Sequence, residues 1–348
     1  MRAMVCTRYG PPEVLELQQL DKPVPKAGEI LIKVRAATVT AGDCEIRSFK
    51  FPVLLWIPLR LFFGLRKPRV NVLGQEFAGE VEAVGTGQTA FKKGDRVYGA
   101  TGLKLGAYAD YLCLSGSSPI ARIPEEIGFE EAATIPTGGM NALFFLRKAK
   151  IQAGQKVLII GAGGSIGTVA VQLAKHAGAE VTAIDSKEKL DMLLSIGADR
   201  VIDYRQEDFT ADREMYDVIF DVAGKSPFTK TVNTLTPKGI YLMGNPSLNQ
   251  MFRRLWPTKK GDRKIIAGAA SYKAEDLRQL NKLLAEGRLK PVIDQVFPLE
   301  QLRQAHRYVE SGAKKGNVVI ANQSSNSSLS EFSEMEQYTN RNRNEKNK

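Results

Sequence analysis

The sequence predicts an α/β protein of two domains, a β-rich unit of short strands and a doubly wound parallel sheet covered by helices. Three observations predict it. The chain runs to 348 residues, beyond the size at which a single hydrophobic core usually keeps growing. Near residue 123, short apolar runs broken by Gly, Pro and Asp give way to apolar strands alternating with amphipathic helices. Within that second part, residues 155–185 spell a strand, a glycine-rich turn, a helix and a second strand ending in an acidic residue.

From 1 to 122 the runs Glu29-Ile-Leu-Ile-Lys-Val34 and Gly79-Glu-Val-Glu-Ala-Val84 read as strands, and Gly94-Asp95-Arg96-Val97 as a turn feeding another. The Pro-rich stretch 11–25 suits edges and connections, where a missing backbone N–H does no harm. From 123 to 290 the predicted strands are Lys156–Ile160, Val181–Ile184, Arg200–Ile202, Asp217–Phe220, Gly239–Met243 and Lys264–Ala267. Ten or more residues of helix or loop follow each, which implies βαβ units and parallel pairing with helices on both faces. Residues 291–322 return to short strands around one helix, Leu299–Ser311, so the C-terminal segment is expected to rejoin the first unit. Residues 323–348, rich in Ser, Asn and Glu, lack the apolar content to order themselves and are expected to form a disordered tail.

With 43% hydrophobic and 25% charged residues, the composition is that of a soluble globular chain. No secretory segment opens it and no apolar run reaches the ~20 residues that span a bilayer, so a cytoplasmic location is the default expectation. Cys6, Cys44 and Cys113 form no CxxC pair and are expected to be small buried or half-buried hydrophobes. A formal charge of +11 suits nucleic acid, an anionic membrane surface or a phosphorylated cofactor. Its densest clusters are Arg66, Lys67 and Arg69, then Arg253, Arg254, Lys259, Lys260, Arg263 and Lys264, all of which also suit solvated loops. Nothing resembles an aromatic-lined RNA module, so nucleic acid is not an expected partner.

Residues 51–65 form the most apolar stretch, yet they carry Pro52, Pro58 and Arg60 and are too short to span a membrane. Three readings stay open: a lid packed on the core, a wall of an apolar substrate pocket, or a weak interfacial contact beside Arg66, Lys67 and Arg69.

The chemistry is carried by the run from Lys156 to Lys175. Gly161, Gly163, Gly164 and Gly167 let the backbone turn sharply after a buried strand, approach a pyrophosphate and pack helix against strand. The phosphates then sit at the positive end of the helix, where free N–H groups point at them. The fingerprint is Ala162-x-Gly164-x-x-Gly167, with Ala162 in the first glycine's place and Gly163, Ser165 and Ile166 between. Asp185 ends the second strand, where a carboxylate can bind a ribose 2′-hydroxyl and favour NAD. Ser186, Lys187 and Lys189 follow at once, and could hold a 2′-phosphate or open an exposed helix.

Gly154-Gln155, Leu158, Ala162-Gly163-Gly164, Gly167, Gln172 and Lys175 resemble the signature of the zinc-independent quinone oxidoreductases of the medium-chain dehydrogenase/reductase superfamily. Ser165 and Ile166 depart from the usual Gly-Val of that signature. The resemblance extends over about residues 1–321, through Pro23 to Val34, Gly74-Gln-Glu-Phe-Ala-Gly-Glu-Val81, Phe91-Lys-Lys-Gly-Asp-Arg-Val97, Gly106 to Tyr111, Gly197 to Tyr204, Asp221-Val-Ala-Gly224 and Gly316-Asn-Val-Val319. It implies a GroES-like β-rich catalytic domain plus a Rossmann-type domain, with the active site in the cleft between them, and a homodimer of the kind common in that family.

In the superfamily's alcohol dehydrogenases Cys, His and Cys hold a catalytic zinc, and the matching positions here are Thr40, Gln75 and Ala133. None is a zinc ligand of the usual kind, no four-cysteine cluster is present, and the only histidines, His176 and His306, lie on predicted helices and are expected to face solvent. Without metal, the implied chemistry is hydride transfer from a reduced nicotinamide to a quinone or an α,β-unsaturated carbonyl, whose conjugation spreads the charge that a metal would stabilise.

By resemblance Thr40 and Asp43 lie beside the nicotinamide and the substrate mouth, Thr40 standing where quinone reductases often have Asn. Tyr108 and Tyr111 are candidate proton donors that equally suit packing. Lys189 and Tyr204 match the positions that contact an adenosine 2′-phosphate, which turns the balance from NADH to NADPH, and Asn245 matches a position near the nicotinamide. A second class of function, a cofactor-bound binding or adaptor protein at a membrane or partner surface, is suggested by the charge and by residues 51–69.

Overall fold

The computed structural model describes residues 1–52, 55–211, 214–245, 262–268 and 270–322. The tail 323–348 and Arg253, Arg254, Lys259 and Lys260 of the basic cluster lie outside the described residues. In chain order the elements begin β1 (Arg2–Cys6), β2 (Leu15–Gln19), β3 (Glu29–Thr38), α1 (Ala41–Ser48), α2 (Trp56–Phe63), β4 (Glu76–Val84), β5 (Arg96–Ala100), β6 (Tyr111–Ser115) and β7 (Ile120–Arg122). Next come α3 (Phe129–Ala133), α4 (Pro136–Ala149), β8 (Lys156–Ile160), α5 (Ser165–His176), β9 (Glu180–Asp185), α6 (Leu190–Ser195), β10 (Arg200–Asp203), β11 (Tyr216–Asp221), α7 (Phe228–Asn233), β12 (Leu235–Met243) and β13 (Lys264–Ala267). The described chain closes with α8 (Ala274–Ala285), β14 (Ile293–Pro298), α9 (Leu302–Glu310) and β15 (Asn317–Ala321).

The β-rich unit is a seven-stranded sheet of order β14-β15-β3-β4-β5-β7, with β6 also paired to β3. Strands β14 and β15 come from the far end of the chain, and β15 pairs antiparallel with β3 through Val319 and Thr38. The second sheet has six parallel strands in the order β10-β9-β8-β11-β12-β13. The order reverses between β8 and β11, and ligands of such sheets bind at the carboxyl ends of the strands beside that switch point. Strand β8, Lys-Val-Leu-Ile-Ile, is buried from Val157 to Ile160 because helices cover both of its faces.

The two units share a core. Ala36, Ala78, Tyr98 and Val319 of the first sheet belong to the same apolar cluster as Met140 and Phe145 of α4 and Val157 of β8. Tyr98 reaches across with its hydroxyl, 2.5 Å from Asn281 Oδ1 and 3.3 Å from the Leu277 carbonyl of α8. Burying a side chain of that size contributes about 1.5–3 kcal/mol, which makes the boundary between the units a packed interface.

Strand β12 starts at Leu235, before the expected Gly239, because Thr-Pro-Lys-Gly is absorbed into an irregular register against β11 and does not form a turn. The predicted helix 299–311 is a single 3-10 turn, Leu299–Gln301, leading into α9. His306 corrects the expectation of a solvent-facing histidine: it is fully buried, while His176 is exposed. The spacing Leu302, Ala305, His306, Val309 explains why, since it places His306 on the apolar stripe of α9. Cys6 and Cys44 are buried and Cys113 is half-buried, as expected.

Among the described residues no helix is long and apolar enough to cross a membrane. The apolar stretch forms α2, a helix with no buried residue. It rests on an aromatic cluster in which Phe63 stacks on Phe51 at 6.1 Å and Trp56 meets Phe49 edge-on at 6.4 Å. Arg60 lies over the rings of Tyr9 and Phe49 at 4.5 and 4.0 Å.

Candidate active site

The dinucleotide turn follows β8 at the switch point. The N–H groups of Gly161 and Ala162 both donate to the Ile184 carbonyl, at 2.9 and 3.1 Å, and Gly161 takes a left-handed φ of 77°. A Cβ at Gly167 would lie 2.5 Å from Ala162 Cα, so α5 can approach the strand only with glycine there. At Gly164, the N-cap of α5, a Cβ would meet only the Gly161 carbonyl at 3.9 Å. That open face in front of the unpaired N–H groups of the first turn is the shape and polarity that a pyrophosphate fits.

The structure brings Asp185, Ser186, Lys189 and Tyr204 to this turn. Asp185 Oδ2 accepts the N–H of Gly163 at 2.8 Å and Oδ1 that of Ser186 at 2.8 Å. Lys189 Nζ lies 3.1 Å from Asp185 Oδ1, and the lysine stem passes over Gly163, where a Cβ would be 2.5 Å from its Cδ. Asp185 is therefore bound internally on both oxygens. The pairing of Asp203 with Asp185 sets Tyr204 beside the same strand end, its N–H donating to the Asp185 carbonyl at 3.3 Å and its side chain exposed. Arg205, which the sequence reading missed, lies over the Tyr204 ring at 5.6 Å. The signal for it was a cation directly after a strand end that points at the turn. Asn245 stands apart from this group: it follows β12 and abuts Gly224, where a Cβ would meet its carbonyl.

Thr40 and Asp43 come together as a reciprocal cap on α1. Thr40 Oγ1 donates to Asp43 Oδ2 at 2.7 Å, the Thr40 N–H donates to the same oxygen at 3.0 Å, and the Asp43 N–H returns to Thr40 Oγ1 at 3.1 Å. Gln75 Nε2 donates to Thr40 Oγ1 at 3.2 Å, so two of the three positions that match zinc ligands are tied to one another. Asp43 is fully buried with Oδ1 unpartnered, and burial holds its carboxyl above the usual carboxylate range against the hydrogen bonds from Thr40. Gln75, half-exposed, is the member of this network most open to solvent.

Two further groups bridge the β-rich unit and the second unit, and the sequence reading named neither in a role. Glu76, the first residue of β4, is fully buried; its Oε1 accepts the N–H of Thr137 in the first turn of α4 at 2.5 Å, and the Thr38 hydroxyl donates to its Oε2. Burial pushes its carboxyl up to about 7 despite these donors. Lys314 reaches from the segment before β15 to the dinucleotide turn, with Nζ 2.8 Å from Ser165 Oγ and 2.7 Å from the Gly316 carbonyl. Its surroundings push its ammonium down to about 8: burial first, opposed by Glu76 and reinforced by the charge of Lys189. The Gly316 N–H also donates to the Gly163 carbonyl at 2.8 Å, stitching this segment to the turn.

The tyrosines named from the sequence are engaged in structure. Tyr108 is fully buried, gives its hydroxyl to the Thr38 carbonyl at 3.1 Å and packs edge-on against His306 at 5.8 Å. Tyr111 lies under Lys22 at 4.0 Å. His306 Nδ1 faces Cys44 Sγ and Arg47 Nε, both at 3.3 Å, and burial with the charge of Arg47 pushes its imidazole down to about 3. Among the described residues no group of three His, Cys, Asp or Glu is arranged to hold a metal ion.

A dinucleotide turn at the switch point of a parallel sheet, closed by a β-rich unit through Lys314, defines a two-domain nicotinamide-dependent oxidoreductase. The comparisons agree. Residues 26–148 match the alcohol dehydrogenase GroES-like domain and residues 196–320 the zinc-binding dehydrogenase domain. The chain is 31% identical to 2-methylene-furan-3-one reductase of Solanum lycopersicum over 92% of its own length and 79% of the relative's. It is 31% identical to quinone oxidoreductase of Sus scrofa, with 92% and 97% covered. The solved quinone oxidoreductase from Coxiella burnetii superposes with a TM-score of 0.83 at 30% identity, covering 93% of this chain and 99% of that one. The chain belongs to the quinone oxidoreductase-like family of the medium-chain dehydrogenase/reductase superfamily.

Proposed function

We propose that this protein is an NADPH-dependent, zinc-independent reductase that delivers hydride to a quinone or an α,β-unsaturated carbonyl, and that it works as a homodimer. The observation that carries the reading is the network Thr40–Asp43–Gln75. It puts a hydroxyl and an amide, already bonded to one another, where metal-dependent relatives would need thiolate and imidazole. The relatives' names, quinone oxidoreductase and 2-methylene-furan-3-one reductase, support acceptors of this conjugated kind.

The bound nicotinamide would supply the hydride, and the chain supplies position and charge. The first turn of α5 and Lys314 would hold the pyrophosphate. The preference for NADPH is supported by Asp185, whose two oxygens are engaged by Gly163, Ser186 and Lys189 and so compete poorly for a ribose hydroxyl. Lys189, Tyr204 and the neighbouring Arg205 offer charge and a hydroxyl to a 2′-phosphate. At the other end of the cleft, buried Asp43 fixes Thr40, and Gln75 is the group placed to donate to an acceptor oxygen as negative charge develops on it.

Oxidation of NADPH and NADH followed by absorbance against a panel of quinones, enones and simple aldehydes tests the reading. NADPH-dependent turnover of quinones or enones that survives a strong chelator is expected. Turnover restricted to alcohols and aldehydes and abolished by the chelator would overturn it.

A further inference from the structure

The surface around α2 answers to none of this chemistry. Between Ile46 and Gln75 the sequence has six cations, Arg47, Lys50, Arg60, Arg66, Lys67 and Arg69, and no Asp or Glu. Arg47 is buried against Glu310, and Arg60 lies on the Tyr9 and Phe49 rings. Arg66, Lys67 and Arg69 are exposed and form no ion pair among the described residues. On the outer face of α2 Ile57 and Leu61 lie one turn apart, at 76% and 59% exposure, with Trp56 and Phe62 half-exposed beside them, and Leu65, just past the Gly64 that ends the helix, is 66% exposed.

Apolar side chains of this size normally turn inward when an alternative exists, and here the inner face of α2 is already filled. Leu59, Arg60 and Phe63 are its less exposed positions, with Phe63 stacked on Phe51 and Arg60 on the rings of Tyr9 and Phe49. The remaining stripe is a short apolar ridge edged on its C-terminal side by three unpaired cations. A protein partner would have to match both an aliphatic ridge and a carboxylate-free rim. An anionic bilayer supplies both at once, acyl chains for the ridge and phosphate headgroups for the rim.

We infer that α2 and the segment to Arg69 form a docking surface for anionic phospholipid membranes, with Ile57, Leu61 and Leu65 entering the acyl boundary and Arg66, Lys67 and Arg69 on the headgroups. The contact is peripheral and reversible, because one two-turn helix buries little area and each cation near the surface strengthens binding by about fivefold. The inference is independent of the acceptor and cofactor proposed above, since among the described residues no side-chain hydrogen bond or ion pair links Ile57, Leu61, Leu65, Arg66, Lys67 or Arg69 to Thr40, Asp43, Gln75 or Lys314.

Flotation of the full-length protein with vesicles of phosphatidylcholine, with and without phosphatidylglycerol, tests it. Binding is expected only with phosphatidylglycerol, weakening as salt is raised. The pair Ile57→Glu and Leu65→Glu should abolish it, and Arg66→Ala with Lys67→Ala should weaken it by more than tenfold, while both variants keep wild-type melting temperature and wild-type NADPH oxidation with a water-soluble quinone. No flotation of the wild type at low salt overturns the inference, as does binding that the Glu pair leaves intact. A wild-type dimer that the Glu pair converts to monomer would also overturn it, by showing a second copy of the chain on this face. Loss of turnover with retained flotation would count against the proposed reaction alone.

Discussion

Lys314 Nζ lies 2.8 Å from Ser165 Oγ, so a cation from the segment that leads into β15 stands at the first residue of the helix that would receive a pyrophosphate. A charge-assisted hydrogen bond of this kind contributes about 1.5–3 kcal/mol. Lys314→Met should therefore weaken NADPH and NADH alike by tenfold or more in a fluorescence titration, because both cofactors carry the pyrophosphate.

The same lysine predicts a pH dependence. Burial brings its ammonium down to about 8, so the cation is present below that pH and lost above it. Cofactor affinity should fall as pH rises through about 8 in the wild type. The titration of Lys314→Met over the same range should stay flat.

Lys189 should separate the two nicotinamides. Lys189→Met keeps the stem that covers Gly163 and removes the charge beside Asp185. NADPH affinity should drop by about tenfold while NADH changes little, measured as the ratio of dissociation constants. An equal loss for both would mean that the 2′-phosphate binds elsewhere.

Glu76 makes a stability prediction with a definite sign. Its carboxyl is raised from 4.5 to about 7 in the folded protein, so the folded state holds the proton more tightly than the unfolded one. Its contribution is fully present below about 4.5 and is lost as pH rises to about 7, a difference of about 3 kcal/mol. Glu76→Gln, which keeps an acceptor for Thr137, should melt higher than wild type above pH 7 and show a flatter profile between those limits.

Gly167→Ala tests the close packing of α5 on the turn. Its methyl would sit 2.5 Å from Ala162 Cα and from two backbone oxygens, with no flexible side chain to give way. A destabilisation of about 3 kcal/mol is expected in denaturant unfolding, together with loss of cofactor binding.

Much of the second sheet was legible because its signals are local. Strand β8 and the glycines after it announce themselves by hydrophobicity and backbone freedom, and β13 falls on the expected residues Lys264–Ala267. Strand β12 was begun at Gly239 because Pro237 and Lys238 carry no apolar signal, and the pairing of Leu235 with Tyr216 that extends the strand is visible only in the structure. Candidate site residues were legible from local pattern in Ala162–Gly167 and Asp185, and from the family resemblance for Thr40, Asp43, Lys189 and Tyr204. Lys314 and Glu76 escaped because each acquires its meaning from a group far along the chain, Ser165 for one and Thr137 for the other. His306 misled for a related reason: its helix looked polar in composition, and only its position on the stripe shared with Val309 marked it as interior.

The stitch between Gly316 and Gly163 bears on how the protein is made. Strand β3 acquires its neighbour β15, and the dinucleotide turn its clasp, only when residues 316–321 are available. While it is still on the ribosome the emerging chain can pair β8 with β9 and lay β6 along Glu29–Lys33 of β3, but must hold the Ala36–Thr38 end of that edge open, exposing apolar strand surface until residues 316–321 emerge. Truncation just before Gly316 should therefore yield aggregates and not a smaller folded enzyme, and chaperones would meet this protein chiefly through that waiting edge.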